Sequence, residues 1–355
     1  MNLSRREFIG GLMCAAAAMP TPASAAPRWS DVHLHLIGGR EKQFDQAAER
    51  ALAHMDRHGI AKAVVFPPPM PNAGIFDYTD YVPALRKHPR RFGFLAGGGT
   101  LNPLIQHTPP ASVTPEARQK FIDAAKRMLD EGAVGFGELT ALHLSLVPNH
   151  PFEESSIEHP FFYALTEVAG PAKAMIDLHM DAVPADVPLP KALDNGRNPP
   201  SLKGNIAGLE RLLAHERNAR IAWAHGGSDL TGNMTPALIG RLMAKHPNLY
   251  MSLRPVPPQA SRRNPFKLRF FNLIVTENGT DPEWLALLQR HSDRFVMGAD
   301  AFLLAESIHP QSPLIALGRG NDPRTMAARM VLDRLPPQLA RKIGVTNANN
   351  LYRLG

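Results

Sequence analysis

The chain has 355 residues, of which 44% are hydrophobic and 20% charged, as in a globular protein with a sizeable core. Its net charge is +7, but it has no long basic run and no nucleic-acid-binding motif. This balance argues against a nucleic-acid partner and favours a small-molecule substrate, with tolerance for an anionic one.

The first residues have the pattern of a cleaved export signal. Arg5 and Arg6 precede the apolar run GLMCAAAAM, which leads to the small-residue pattern ASA at 23–25. The order S-R-R-x-F-I resembles the twin-arginine signal that directs folded proteins to the bacterial periplasm. We therefore expect a signal peptide at 1–26, the export machinery as a transient partner, and one mature periplasmic domain at 27–355.

Two alternatives for this segment are weaker. The apolar run is shorter than the roughly 20 residues that a membrane span needs, so stable membrane insertion after cleavage is not expected. Met13 is too large for a typical lipoprotein signal ahead of Cys14. Because Cys14 is the only cysteine, the mature chain would have neither disulfides nor thiolate ligands, and a metal would be bound by His, Asp and Glu.

Short apolar or β-branched runs alternate with helical patterns along the mature chain. The runs predict strands at 29–36, 61–66, 91–97, 133–139, 173–180, 220–227, 249–255 and 294–300. Examples of helical spacing are found at 44–59, 115–132 and 235–247. Eight βα units with long loops after the strands predict a (β/α)8 TIM barrel. An open doubly wound sheet is the competing architecture, but no strand is followed by G-x-G-x-x-G.

The first predicted strand contains DVHLHL at 31–36. Strand side chains alternate between faces, so Asp31, His33 and His35 share one face. Leaving such groups buried and unpaired costs about 1–3 kcal/mol each. This face is therefore either exposed to water or bound to a metal ion.

Four other strands also end in an imidazole or a carboxylate, namely Glu138, His179, His225 and Asp300. Each alone has a simpler explanation, such as a hydrogen-bonded loop histidine or a helix-capping aspartate. In a barrel, however, these strand ends meet at one rim. Imidazole and carboxylate groups are ligands that suit Zn²⁺ and similar divalent ions, so together they predict a metal site.

The segments DVHLHL, IDLHM, AWAHGG and VMGAD, in this order, resemble the amidohydrolase superfamily and, more narrowly, its amidohydrolase-related branch (amidohydrolase 2). The ending KIGVTNANNLYRL is similar to the I-x-x-x-N-A-x-x-L ending of that branch. The resemblance covers the whole mature chain. It implies a metal-dependent TIM-barrel hydrolase.

The resemblance also implies roles for individual residues. His33 and His35 match the first-strand metal ligands and His179 the fifth-strand ligand. His225 matches a histidine that binds a second metal or contacts the substrate, and Asp300 an aspartate that contacts both the metal and the attacking water.

Two departures from the family pattern leave choices open. The fourth strand, AVGFGEL, has no lysine that could bridge two ions as a carbamate, but Glu138 occupies the place of a glutamate bridge. One or two ions, most suitably Zn²⁺, are therefore both compatible with the sequence. The eighth strand reads GADAF where many relatives have G-S-D-W-P, so the subfamily is not assigned.

The predicted function is hydrolysis of a small ester, lactone or amide through a metal-activated water. Asp300 would accept the proton of that water, and His225 would polarise the scissile carbonyl. Arg254, just past the seventh strand, is predicted to bind a substrate carboxylate. The loop at 181–205 is expected to set specificity, and the oligomeric state is left open.

Two other functions remain compatible with the sequence. The first is a one-metal decarboxylase of an aromatic or unsaturated acid, in which His225 would handle the proton. The ion would then be held by His33, His35, His179 and Asp300. The second is a non-catalytic metal- or ligand-binding protein on a barrel scaffold.

Overall fold

The structure, a computed structural model, describes residues 29–69, 76–146, 151–257, 269–312 and 314–355. The predicted signal peptide and its cleavage site lie outside the described residues. No helix in the described part of the chain is both long and apolar enough to cross a membrane.

Eight parallel strands form the centre of the molecule, and two of them have two parts. They are β1 (Trp29–Ile37), β2 (Ile60–Val65), β3 (Phe92–Phe94 and Ala96–Gly97), β4 (Gly135–His143), β5 (Met175–Met180), β6 (Arg220–Gly226), β7 (Leu249–Leu253) and β8 (Phe295–Met297 and Ala301–Leu304). Each strand pairs in parallel with the next along the chain. The last strand pairs with the first, with Leu34 opposite Ala301. The ring is therefore closed, which confirms the predicted TIM barrel.

Helices follow the strands. They are α1 (Phe44–Arg57), α2 (Tyr78–Leu85), α3 (Leu101–His107), α4 (Pro115–Asp130), α5 (Pro160–Ala172), α6 (Ile206–His215), α7 (Pro236–Lys245), α8 (Pro282–Arg290), α9 (Ile315–Gly318), α10 (Asn321–Arg334), α11 (Pro337–Arg341) and α12 (Asn347–Tyr352). Capping residues in the sequence explain where several helices begin. The hydroxyl of Thr114 accepts from the amide of Ala117 at the start of α4, and Thr235 does the same for Leu238 in α7.

Helix α1 shows how the helices pack with one face buried against the barrel. Helix α1 buries Phe44, Ala47, Ala48, Ala51 and Met55, the spacing of a helix face that packs on a barrel. A smaller apolar cluster joins strand residues to the C-terminal helix α12, whose Tyr352 is fully buried.

Strand β4 differs from its prediction in length. It continues to His143, beyond the predicted end at Leu139. The reason is a short strand, Glu153–Glu154, that pairs antiparallel with the end of β4. Glu138 therefore lies within the strand rather than at its end. Small antiparallel pairs also form within the loops that follow β5 and β7, the first of them in the predicted specificity loop.

Candidate metal centre

A cluster of four buried side chains lies at the mouth of the barrel. We call His33, His35, Glu138 and Asp300 the four-residue cluster. The Nε2 atoms of His33 and His35 lie 3.5 and 3.7 Å from Glu138 Oε2. The same two nitrogens lie 3.9 and 3.3 Å from Asp300 Oδ1. Four ligands bound at about 2.0–2.2 Å around a tetrahedral zinc ion are separated by about 3.3–3.6 Å. Two three-residue groups at the mouth have ligand atoms within 4.8 Å of one another and could each hold an ion: His33, His35 and Asp300, and His33, Glu138 and His225.

The Nε2 atoms of the two histidines in the four-residue cluster lack hydrogen-bond partners in the described part of the chain. His33 Nε2 and His35 Nε2 are buried and have no hydrogen-bond partner among the described residues. Buried polar atoms are paired in the great majority of cases, so two orphaned ring nitrogens facing two carboxylates call for a bound group. The donor set, two imidazoles and two carboxylates, is one that Zn²⁺ accepts. Of the two possibilities that DVHLHL left open, burial of this face favours the metal.

The backbone of β2 orients one of these rings. His35 Nδ1 lies 2.8 Å from the carbonyl oxygen of Phe66, and a carbonyl can only accept. His35 therefore donates from Nδ1, and in the neutral ring its Nε2 presents a lone pair to the cluster. Metal-binding histidines are commonly held in this way.

Glu138 also belongs to a second group, at its other oxygen. Glu138 Oε1 accepts from His179 Nδ1 at 2.7 Å and from His225 Nε2 at 3.1 Å. The two histidine nitrogens are 3.1 Å apart. These separations are typical of hydrogen bonds and shorter than the edges of a tetrahedral zinc site. One carboxylate thus joins two sets of imidazoles, and His33 belongs to a possible ion-binding group on each side.

Burial, neighbouring charges and hydrogen bonds together determine the pKa values of His225 and Glu138. Burial lowers the pKa of His225 to about 3, so its ring is neutral at physiological pH. Burial would raise the pKa of Glu138, but the charge of His33 and the hydrogen bonds from His179 and His225 hold it well below its usual range. Glu138 is therefore ionised, as a metal ligand must be.

Two arginines hold Asp300. Arg254 Nε lies 2.7 Å from Asp300 Oδ2, as an ion pair without hydrogen-bond alignment, and Arg324 Nη1 lies 3.8 Å from the same oxygen. Arg324 also donates to the Asp300 carbonyl at 2.6 Å. Burial alone would raise the pKa of Asp300, but the two guanidinium groups hold it well below its usual range. Oδ2 is thus engaged with arginine, while Oδ1 faces the histidines.

The backbone bends sharply at two of the predicted residues. His225 and Asp300 have φ angles of 70° and 55°. Left-handed conformations are uncommon for residues other than glycine and cluster at functional sites. His225 is the next-to-last residue of β6, and Asp300 lies in the break between the two parts of β8.

The structure brings the predicted residues together in one place. His33, His35, Glu138 and Asp300 form the four-residue cluster, and His179 and His225 contact it through Glu138. Arg254 also lies at the site, but its side chain is paired with Asp300. Its role in substrate binding stays a prediction.

Two charged residues at the site were not predicted from the sequence. Asp177 is fully buried, and its Oδ2 lies 3.7 Å from His33 Nδ1. It precedes His179 by two residues, so strand alternation is a signal that could have found it. Arg324 lies on α10, far from any strand end, and no local pattern marks it.

Asp31 lies beneath the cluster on the same face of β1. Its Oδ1 accepts from the amides of His33 and Ala299 at 3.1 and 3.0 Å. Its Oδ2 is buried and has no hydrogen-bond partner in the described part of the chain. Burial raises the pKa of Asp31 to about 7.

We expect Asp31→Asn to stabilise the metal-free chain increasingly as the pH rises. An unfolded Asp ionises near pH 3.9, whereas folded Asp31 does so near 7, so folding becomes less favourable between about pH 4 and 7. Asparagine avoids this cost, which is on the order of 4 kcal/mol at full ionisation. Urea unfolding of chelator-treated protein at pH 5 and 8 measures the effect. An equal difference in unfolding free energy at both pH values would contradict it.

Comparison with known proteins finds no matching family model and no matching curated protein. Among solved structures, the chain is similar to amidohydrolase 2 from Bifidobacterium longum subsp. infantis, with 11% identity, a TM-score of 0.47, and coverage of 93% of this chain and 100% of that one. It is also similar to dihydroorotase from Campylobacter jejuni, with 14% identity, a TM-score of 0.47, and coverage of 92% and 84%.

A phosphotriesterase from Mycobacterium tuberculosis is similar at 13% identity and a TM-score of 0.47, with coverage of 92% of this chain and 94% of that one.

Proposed function

We propose that this protein is a metal-dependent hydrolase acting on a small ester, lactone or amide. One observation carries the proposal: two buried, orphaned imidazole nitrogens lie at ligand spacing from two ionised carboxylate oxygens. Residues that would hold one ion are His33, His35, Glu138 and Asp300. A second ion would use Glu138 Oε1 with His179 and His225. The nitrogen and oxygen donors suit Zn²⁺ best.

A divalent ion bound here would supply a nucleophile near neutral pH, by lowering the pKa of water from 15.7 to about 7. The residues around it control proton movement. Asp300 stays ionised beside Arg254, so its Oδ1 would accept a proton only as bond formation proceeds and would pass it to the leaving group. Neutral His225 has a single N–H, which faces Glu138 Oε1, so it would reach a developing oxyanion only after releasing that hydrogen bond.

The arginines support an anionic substrate. Arg254 and Arg324 bring two positive charges to the single carboxylate of Asp300. Asp300 balances one of these two charges, and the other would favour a substrate that carries its own carboxylate.

We expect Arg254→Met to raise KM for a carboxylate-bearing substrate by roughly 10- to 100-fold, because a hydrogen bond to a charged group contributes about 1.5–3 kcal/mol. The measurement is steady-state kinetics on a charged substrate and on its neutral analogue. Any change in KM that arises because Asp300 has lost its ion pair with Arg254 affects both substrates equally and cancels in the comparison. Equal changes in KM for the two would show that Arg254 serves only to hold Asp300.

The test of the function combines metal analysis with a substrate panel. Purified mature protein is loaded with Zn²⁺ and assayed against esters, lactones, amides and carboxylic acids. Hydrolysis that chelation abolishes and zinc restores is the expected result. Absence of turnover in the fully loaded protein would favour a non-catalytic binding protein instead.

One observation favours a second candidate, a one-metal decarboxylase. His33, His35 and Asp300 form a group whose ligand atoms all lie within 4.8 Å of one another, so they could hold a single ion without Glu138. A single ion would suit decarboxylation of an aromatic or unsaturated acid. Release of carbon dioxide from an acid of the panel, without consumption of water, separates this activity from hydrolysis.

We also propose that the protein is exported to the periplasm. The supporting observation is the segment SRREFIGG followed by an apolar run and a small-residue cleavage pattern. Changing Arg5 and Arg6 to lysine is expected to retain the full-length chain in the cytoplasm. Fractionation and immunoblotting measure this, and unchanged export of the variant would contradict a twin-arginine route.

A further inference from the structure

A separate set of metal-ligating side chains lies on the outer surface of the barrel. His54 is in the last turn of α1 and His58 follows one turn later, at the end of that helix. Asp322 lies in the first turn of α10. Asp322 Oδ1 is 2.8 Å from His58 Nε2 and 3.5 Å from His54 Nδ1. One ligand atom from each residue lies within 4.8 Å of the other two.

The surroundings of His54 prepare it for a ligand. Its Nε2 is 2.9 Å from the hydroxyl of Thr325, so the ring is held with Nδ1 toward Asp322. Metal-binding histidines commonly have such a hydrogen bond at the other ring nitrogen. Burial lowers the pKa of His54 to about 4, so protons do not compete with a metal for this ring near neutral pH.

The charge around the group is mixed. Arg57 Nη1 lies 3.4 Å from Asp322 Oδ2 and 3.5 Å from Oδ1, and both histidines face Oδ1 at 2.8 and 3.5 Å. The Asp322 side chain is 51% exposed, and that of His54 only 5%. Three protein ligands in this arrangement leave a fourth tetrahedral position open to solvent.

We propose that His54, His58 and Asp322 form a second divalent-metal site, suited to Zn²⁺, on the outside of the barrel. The site connects α1, which follows the first strand, to α10, which follows the last. A metal there ties the two ends of the barrel together at the seam where β1 pairs with β8. Its role is to stabilise the fold, and it does not depend on the proposed hydrolase activity.

Zinc binding to the full chain tests the proposal. Wild-type protein is compared with His58→Ala and Asp322→Asn by elemental analysis after equilibrium dialysis against Zn²⁺. We expect each variant to hold one equivalent less than the wild type. The zinc-induced rise in Tm should also be smaller in both variants, while the ions at the barrel centre are retained.

Two further variants sharpen the test. His88→Ala removes another surface histidine that pairs with a single carboxylate, Glu49, and should retain the full zinc content. Thr325→Val removes the hydrogen bond that holds His54 and should weaken zinc binding at this site about tenfold. Equal zinc content in the wild type, His58→Ala and Asp322→Asn would overturn the proposal and leave the group as an ion-pair network between helices.

Discussion

Replacing Glu138 with glutamine is expected to lower turnover by about 10³-fold or more and to remove at least one equivalent of bound metal. Glu138 presents one oxygen to His33 and His35 and the other to His179 and His225. Glutamine has nearly the same shape but lacks the negative charge that would hold a cation between these rings. The amide nitrogen would also face a ring nitrogen on one side.

The measurement is metal content and kcat of the Glu138→Gln variant beside a matched control. Glu154→Gln removes an exposed carboxylate from the neighbouring short strand and should change neither quantity. If one equivalent of metal survives in Glu138→Gln, the ion at His33, His35 and Asp300 is independent of the bridge. Full metal content with normal turnover would contradict the central role of Glu138.

Replacing Asp300 with asparagine is expected to reduce turnover by about 10³-fold and to destabilise the fold by about 2 kcal/mol. The activity falls because the variant loses both an ionised ligand and the proton acceptor. Stability falls because Arg254 and Arg324 lose the carboxylate between them, and a largely buried charge without its partner is costly. Steady-state kinetics and urea unfolding measure the two effects separately.

A double variant separates the chemical role of Asp300 from the structural one. Asp300→Asn combined with Arg254→Met removes one of the two unpaired charges and should recover part of the lost stability. It should not recover turnover, because the acceptor oxygen is still missing. Recovery of activity in the double variant would mean that Asp300 only restrains Arg254.

Local patterns in the sequence predicted most of the barrel. The strand predictions overlap all eight observed strands, and the predicted ends of the helices at 44–59, 115–132 and 235–247 agree within two residues. Alternation in β1 and caps such as Thr114 are short-range effects, so they can be read from neighbouring residues. The extension of β4 to His143 was missed because it depends on pairing with Glu153–Glu154.

In the candidate site, too, local patterns predicted some residues, whereas others depend on contacts between distant segments. His179 and His225 each lie one residue before the end of a strand, and a closed parallel barrel brings such ends to one rim whatever the loops do. Asp177 was missed although it shares a strand face with His179. No sequence pattern marks Arg324. A long arginine side chain on a helix can reach the site although its position has no regular spacing relative to the strand residues there.

The sequence by itself determined the order of the βα units and the kind of ligand that residues 29–355 offer, histidine and carboxylate without cysteine. These properties depend on residue type and short spacing along the chain. Only the tertiary structure decided that the two oxygens of Glu138 serve different histidine pairs and that Arg254 is paired with Asp300. The reason is distance along the chain: these contacts join residues of different strands and loops, and their ångström-scale spacing exists only once the barrel has closed.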